Sequence, residues 1–520
     1  MGVLRSDMHM LEIRLKAAFA AAFICTGLAV SSASPALAAK PIGAFTTTGA
    51  WTFHSAPKLH PPKLSTVGKT AKKLSPGDFI LANFKNLGFS SPLVGQSGPM
   101  ILSSRLQPIW FNPVQTSNLA MNLEVQSYNG KPALSWWQGV ISGTGATVSG
   151  EDVVVGQDYR QIGKPLTGAD GWIISPHEMV ISGTDAWVTA YKQVPMNLVP
   201  FHGPLNGTLL DSAVQEYDLT TGALLQNWDA AQHIPLSQSK STPGPAGTPW
   251  DAYHVNSIQL IPGGTFLVSM RNTWGAYMVD AATGNVQWTL GAGAASSFTL
   301  GPHAAFSWQH DVQLASNGQL TMFDDACCAV SATGSSPPNG PSRGLVLKLD
   351  TTAGTATLVT QFERGSKFEA AFLGSMQALP GGNALVGWGS RPYFTEYSAT
   401  GSRLIDVRFP DPDQSYRVLL ANWVGKPASP PSGAVRNTHG KTTVYVSWNG
   451  ATQVAKWRVM AGTSGKHLRA VATAGKSGFE TAITLAHGYK AYKVQALDAR
   501  GHVLGTSGVF PKHKVTRSLY

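Results

Sequence analysis

The chain has 520 residues, more than one ordinary hydrophobic core supports, so either several domains or a closed repeat architecture is expected. Only 13% of residues are charged, 9% are aromatic, and 55 glycines and 33 prolines punctuate the sequence. That balance favours many short strands separated by turns and leaves no run that reads as disordered over most of its length. From Lys426 onward 14 Lys and Arg residues face only Glu480 and Asp498, while the remainder is close to neutral, so the basicity belongs to the tail.

At the N-terminus, Arg5, Arg14 and Lys16 precede the apolar run "AAFAAAFICTGLAV" and then "SSASPALAAK", whose Ala36-Leu37-Ala38 fits a signal-peptidase site. Residues 1–38 are read as a signal peptide, with an uncleaved signal anchor as the rival, and no later stretch is apolar for long enough to span a bilayer. Cleavage would remove Cys25 and leave only Cys327 and Cys328, so the exported protein is not a disulfide scaffold. A bond between adjacent cysteines is a strained and unusual ring, and two free buried thiols are an equal alternative. Residues 39–75, rich in Thr, Lys and Pro, read as an extended lead-in.

From residue 76 a repeat appears. "PHEMVISGTDAWVTAYK", "NSIQLIPGGTFLVSMRN", "HDVQLASNGQLTMFDD" and "GSMQALPGGNALVGWGS" each pair a short strand, a tight turn and a second apolar strand. "VQEYDLTTGALLQNW", "YMVDAATGNVQWTLG", "VLKLDTTAGTATLV" and "FTEYSATGSRLIDV" complete the units, with Asp218, Asp280 and Asp350 as turn formers. Four strands per unit at intervals of about 40 to 70 residues are a signature of propeller blades, and about six fit between residues 76 and 425. After the linker "GKPASPPSG", residues 428–512 resemble a small fibronectin type III β-sandwich, with Trp448 as core tryptophan and Tyr492 as corner tyrosine. The fold expected is therefore all-β, a propeller followed by a sandwich.

In such a ring the first strand of each blade lines the central channel, and equivalent strand ends gather at one mouth. His177, Asn256 and His310 fall at or within one place of the same repeat position. His254 precedes Asn256 by two residues, which alternation places on the same face. Arg271 closes the second strand of that blade. A single histidine is more often structural than chemical, the reading given to His233 and His303; three at equivalent positions point to one functional cluster. Asp311 and Glu178 either orient neighbouring imidazoles or cap turns, and Trp228 and Trp288 are read as blade packing.

The ordered run "WTFHSAPKLHPPKL", "HEMVISG", "DAYHVNSIQLIPGGTFLVSMRNT", "TGNVQWTLG", "FSWQHDVQL" and "LVGWGSRPYFTEYSATG" resembles the arylsulfotransferase family over about residues 51–410. The resemblance implies a six-bladed propeller that moves a sulfuryl group from a phenolic sulfate to another phenol without a nucleotide donor. It implies His310 in "WQHD" as the transiently sulfated histidine, His254 and Asn256 in "HVN" with Arg271 in "SMRN" as the sulfate-binding set, and His177 in "PHEM" as a further pocket histidine. A neutral imidazole is a competent nucleophile and leaving group, and a second histidine, with His254 favoured, would exchange the proton with the phenol. The scheme requires no cofactor and no metal.

Three readings compete with this one. "VDAATGNVQWTLG" also resembles the tryptophan-docking repeat of pyrroloquinoline quinoproteins, although only one unit matches. A non-catalytic ligand-binding propeller at the cell envelope would use the basic module for adhesion. Metal binding by the three histidines is the least favoured. The expected partners are a small phenolic donor and acceptor, with an anionic envelope polymer or lipid headgroup for the basic tail and no nucleic acid; a solvated basic surface is the plain alternative.

Overall fold

The computed structural model describes residues 45–85, 92–142, 147–291, 293–327 and 340–511. The segment read as a signal peptide, the start of the lead-in, Cys328 and the end of the chain lie outside them. Among the described residues no helix is long and apolar enough to cross a membrane.

The architecture is a propeller-type all-β ring followed by two further sheets. Six inner strands are named here in chain order: β1 (Leu119–Tyr128), β2 (Ile173–Ser182), β3 (Val255–Ile261), β4 (His310–Leu314), β5 (Ser375–Ala378) and β6 (Asp413–Ala421). Each begins one sheet at the axis, and successive antiparallel strands extend outward; beyond β3, for example, come Thr265–Met270, Gly275–Asp280 and Val286–Gly291. The sheet of β6 is built from both ends of the ring. Next to β6 lies Asp78–Lys85, in a register running from Asp413 opposite Lys85 to Ala421 opposite Asp78, and then Gly98–Leu102 and Pro108–Phe111. A strand more than 300 residues downstream thereby closes the circle.

Apolar residues on both faces of each sheet explain why the sheets stack. Ile80, Ile101 and Trp110 meet Leu134 and Trp136 of the sheet begun by β1. Trp137 and Val154 meet Ile174 and Tyr217 of the next; Val214 and Trp228 meet Phe266 and Tyr277; Leu267 and Met278 meet Val312 and Leu345. Phe323 and Phe362 meet Met376 and Tyr397, and Phe394 and Ile405 return to Phe79 and Met100. The clusters thus run round the axis and meet themselves. Between strands, Asp218 and Asp350 accept turn amides as expected of turn formers, Asp218 from Thr220 and Thr221 and Asp350 from Thr352 and Ala353.

Inner strands are sheet edges, whose outward N–H and C=O groups have no ladder partner of their own. Glutamines repeated as "VQS", "IQL" and "MQA" supply one. Gln259 donates to the Leu314 carbonyl at 2.9 Å and accepts the Leu314 N–H at 2.6 Å. Gln377 does the same for Leu420, at 3.1 and 2.7 Å, and Gln126 bridges to Met179 and Ile181. Gln259→Ala is expected to strand both polar groups of Leu314 and cost about 1–3 kcal/mol, read as a lowered denaturation midpoint at unchanged m-value; an unchanged midpoint would show that water replaces the clip.

Within the lead-in the described residues begin at Phe45. Ser65–Thr66 adds to the outer edge of Arg403–Arg408, and Ser55 donates to Glu480 Oε2 at 2.6 Å, tying the lead-in to the C-terminal sheets. Those two sheets, Ser432–Thr438 with Lys441–Ser447 and Glu480–Leu485, and His467–Gly475 with Lys456–Ser464, Ala491–Leu497 and Val503–Thr506, enclose one core. Its central tryptophan is Trp457, not Trp448 as the sequence suggested. Trp457 is buried on a strand, whereas Trp448 lies just past the end of one and is only partly covered. Tyr492 is buried and its hydroxyl accepts the Tyr489 N–H at 2.6 Å.

Candidate active site

Register shifts interrupt the inner strands near their N-terminal ends: between Ile174 and Met179 in β2, between Val255 and Ser257 in β3, and between His310 and Gln313 in β4. Such bulges re-aim side chains. His254 (φ 57°) and Asp311 (φ 55°) adopt the left-handed conformation, uncommon for residues with a Cβ and frequent at functional sites. The result is convergence of three segments far apart in the chain. Ring centroids of His177 and His254 are 4.8 Å apart, those of His177 and His310 6.4 Å, and those of His254 and His310 6.5 Å.

Each imidazole is held from behind. His310 Nδ1 lies 2.7 Å from Asp325 Oδ2, and the Leu373 N–H donates to His310 Nε2 at 3.3 Å. Because Nε2 accepts, a neutral ring carries its proton on Nδ1, directed at Asp325. His254 Nδ1 pairs with Asp251 Oδ2. His177 Nδ1 meets the Ser175 hydroxyl at 2.7 Å, which in turn accepts from Thr189, and the Tyr191 hydroxyl lies 3.3 Å away. Side-chain exposure divides the roles: His310 is 1% exposed and His254 20%, so His254 stands nearest the mouth.

Burial is the main cause holding His310 well below the usual imidazole range, with the Arg271 guanidinium adding to it. His177 is lowered by burial and then by the neighbouring His254 and Arg417. Both rings are therefore neutral near pH 7. Arg271 follows the strand Thr265–Met270, and its own N–H donates to the His254 carbonyl. Its guanidinium lies 4.6 Å over the Trp308 ring and donates to Asn272 Oδ1 and the Ala371 carbonyl. Cys327, which the sequence left open between a ring and a free thiol, is disulfide-bonded and packs with Trp274 and Trp308.

Two expectations change. Asn256 does not share the face of His254. His254 precedes β3 in a left-handed conformation and the register slips after Val255, so alternation fails; the Asn256 amide donates to the Gln309 carbonyl at 2.7 Å and ties β3 to β4. Glu178 and Asp311 neither orient imidazoles nor cap turns. They form a buried layer with Arg417, which donates to both Glu178 oxygens at 2.9 and 2.7 Å and to Glu124 at 2.8 Å, with Asp311 3.7 Å away. Burial pushes the Glu124 and Glu178 carboxyls up, against the pull of Arg417. This layer lines a cavity of about 490 Å³ that none of the three histidines touches.

Residues that the sequence did not flag complete the site. Asp325 belongs to "FDDA" at the end of the strand paired with β4, and Asp251 stands three residues before His254; both positions were readable as acceptors beside a histidine. Tyr416 was not, because it arrives with the ring-closing β6, where its ring lies 5.6 Å from His177 and 6.1 Å from His310.

Residues 149–410 match the family model described as arylsulfotransferase (ASST). The chain belongs to the arylsulfotransferase family. His177, His254, Arg271 and His310 all lie within the matched residues of this arylsulfotransferase-family protein, which supports an arylsulfotransferase-type activity on phenolic substrates in general; Tyr416 and Arg417 lie beyond them. No curated protein matches the sequence. Similar solved structures include a protein of unknown function from Bacteroides caccae, 10% identical over 66% of this chain and 98% of that one, with a TM-score of 0.39. Another is the hydrazine synthase of Kuenenia stuttgartiensis, 13% identical over 59% of this chain and 72% of that one, with a TM-score of 0.32.

Asp325 reaches the pocket through His310 Nδ1, which makes it a candidate positioning residue. Asp325→Asn is expected to lower kcat on the order of 10³–10⁴-fold by favouring the wrong His310 tautomer, with KM little changed. A comparable rise in KM with kcat preserved would assign Asp325 to binding instead.

Proposed function

We propose that this protein is an exported arylsulfotransferase that moves a sulfuryl group from a phenolic sulfate ester to a phenolic acceptor through a sulfohistidine at His310. The observation that carries the reading is the commitment of His310 Nδ1 to Asp325, which makes Nε2 the basic nitrogen of the ring in a pocket shared with His177, His254 and Arg271; to attack, Nε2 gives up the 3.3 Å hydrogen bond that it accepts from the Leu373 N–H.

In the first half-reaction Nε2 forms a bond to sulfur while the bond from sulfur to the aryl oxygen breaks. The leaving phenolate takes a proton from the imidazolium form of His254. Sulfation makes the His310 ring cationic, and Asp325 stabilises that charge through Nδ1–H. Negative charge on the sulfuryl oxygens is met by Arg271 and by a ring N–H of His177, the arrangement that phosphoryl transfer also requires. In the second half-reaction neutral His254 accepts the proton of the incoming phenol, whose oxygen bonds to sulfur as the N–S bond breaks, and the site returns to its starting state.

Asn256, committed to Gln309, is assigned to holding this pocket rather than to touching sulfate. Residues 76–425 form the catalytic unit, and residues 428–512 an accessory fibronectin type III-like module. Its basic surface would hold the secreted enzyme at an anionic envelope polymer. The family membership supports an arylsulfotransferase-type activity, and we favour the transfer reading over a quinoprotein or a non-catalytic binding propeller on that ground.

The deciding experiment is mass spectrometry of protein quenched during turnover of nitrophenyl sulfate. A sulfo group on the peptide containing His310 is expected, and it should disappear when a phenol acceptor is added. Steady turnover with no trapped sulfopeptide would sink the covalent step.

A further inference from the structure

The three histidines have a second property that sulfate transfer does not require. One ring nitrogen from each of His177, His254 and His310 lies within 4.8 Å of the others. Nδ1 of each is engaged from behind: by Asp325 for His310, by Asp251 for His254, and for His177 by the Ser175 and Tyr191 hydroxyls, which can donate or accept. Three inward imidazoles backed by carboxylates and hydroxyls match the ligand and outer-shell pattern of a three-histidine zinc site with a fourth position open. We propose that His177, His254 and His310 form a tridentate site for a borderline divalent transition metal such as zinc, and that metal and aryl sulfate exclude one another there.

The geometry sets the terms of the fit. Zinc–nitrogen bonds of about 2.0–2.1 Å place tetrahedral ligand nitrogens about 3.3 Å apart, so the triangle must contract from its present span. We assign the contraction to His254, whose side chain is 20% exposed and which precedes β3 rather than lying inside it. Asp251 and Asp325 offset the charge of the incoming cation, whereas Arg271 opposes it. The site therefore binds reversibly rather than as a permanent structural centre. Imidazole donors select zinc, cobalt, nickel or copper over magnesium and calcium. Coordination would displace the Leu373 N–H from His310 Nε2 and occupy the lone pair that His310 needs for attack on sulfur. The binding itself rests on the arrangement of the three rings; the mutual exclusion rests additionally on the sulfotransfer reading.

The test is calorimetric titration of chelator-treated full-length protein with zinc chloride, alongside cobalt chloride followed by visible absorption. One saturable equivalent and the intense bands of tetrahedral cobalt are expected. Asp251→Asn should weaken binding about 10–100-fold, and His177→Ala and His254→Ala should each abolish the cobalt bands in protein whose circular dichroism is unchanged. Absence of a saturable equivalent in the wild type, or bands that persist in both histidine variants, would overturn the site. Zinc should also stop turnover of nitrophenyl sulfate, and a chelator should restore it; zinc that binds without inhibiting would refute the exclusion. Turnover by metal-free protein that binds no zinc would leave the sulfotransfer reading standing, whereas zinc binding by protein that never turns over would leave only the metal site.

Discussion

Replacing His310 with alanine is expected to lower transfer from nitrophenyl sulfate by on the order of 10⁴–10⁶-fold, the size of loss seen when a covalent nucleophile that acts with its base as a unit is removed. The expectation follows from what remains. Without the imidazole, Arg271, His177 and His254 still form a polar pocket, yet the acceptor phenol would have to attack a sulfate ester whose leaving group has not departed. Acceptor and leaving phenol would then have to occupy the pocket together, one on each side of sulfur, beside the buried rings of Tyr191 and Tyr416. Removing His254 predicts a different pattern. Loss should be small for a nitrophenol, whose phenolate leaves without assistance, and much larger for an unsubstituted phenol that requires the proton. Initial-rate kinetics with a series of phenyl sulfates separate the two, because only the His254 variant should acquire a steep dependence on leaving-group acidity. Turnover by the His310→Ala variant within tenfold of wild type would remove the histidine from the covalent role.

How far this could be read from sequence depended on which interactions are local. The hairpins were legible because Gly183, Gly263 and Gly318 supply the positive φ that each tight turn needs while apolar runs flank them. The three histidines were legible for the same reason, as heads of repeated strands. Asn256 was misplaced because alternation presumes regular β geometry, and His254 at φ 57° breaks it just ahead of β3. Glu178 and Asp311 follow His177 and His310 directly, so the sequence offered them as orienting groups. They turn to Arg417, which lies 239 residues from Glu178 and is delivered by the closing strand. Trp448 was chosen over Trp457 on resemblance to a sandwich, where burial depends on a facing sheet that no local pattern encodes.

Arg417 carries the second large effect. Its side chain is 3% exposed and bridges Glu124 and Glu178, with the Asn256 carbonyl 3.3 Å from Nη2 and Asp311 alongside. Arg417→Met keeps much of the volume and removes the only cation that the described residues place in contact with this layer. Breaking a buried ion pair from one side costs about 3–5 kcal/mol, because the carboxyls left behind are neither solvated nor compensated. Glu124 and Glu178 already sit above the usual carboxylate range through burial, and losing the arginine raises them further. An acid raised in the folded state binds protons there that the unfolded chain has released, so stability falls as pH climbs from about 4 through the folded values. The deficit of Arg417→Met relative to wild type should accordingly be smallest near pH 4 and grow toward pH 8 in urea denaturation. Adding Glu178→Gln should return part of it, because the amide removes one carboxyl from the layer and the pair then measures a coupling rather than two independent losses. A deficit of under about 1 kcal/mol that is flat between pH 5 and pH 8 would instead show water reaching the layer from the cavity of about 490 Å³ that it lines.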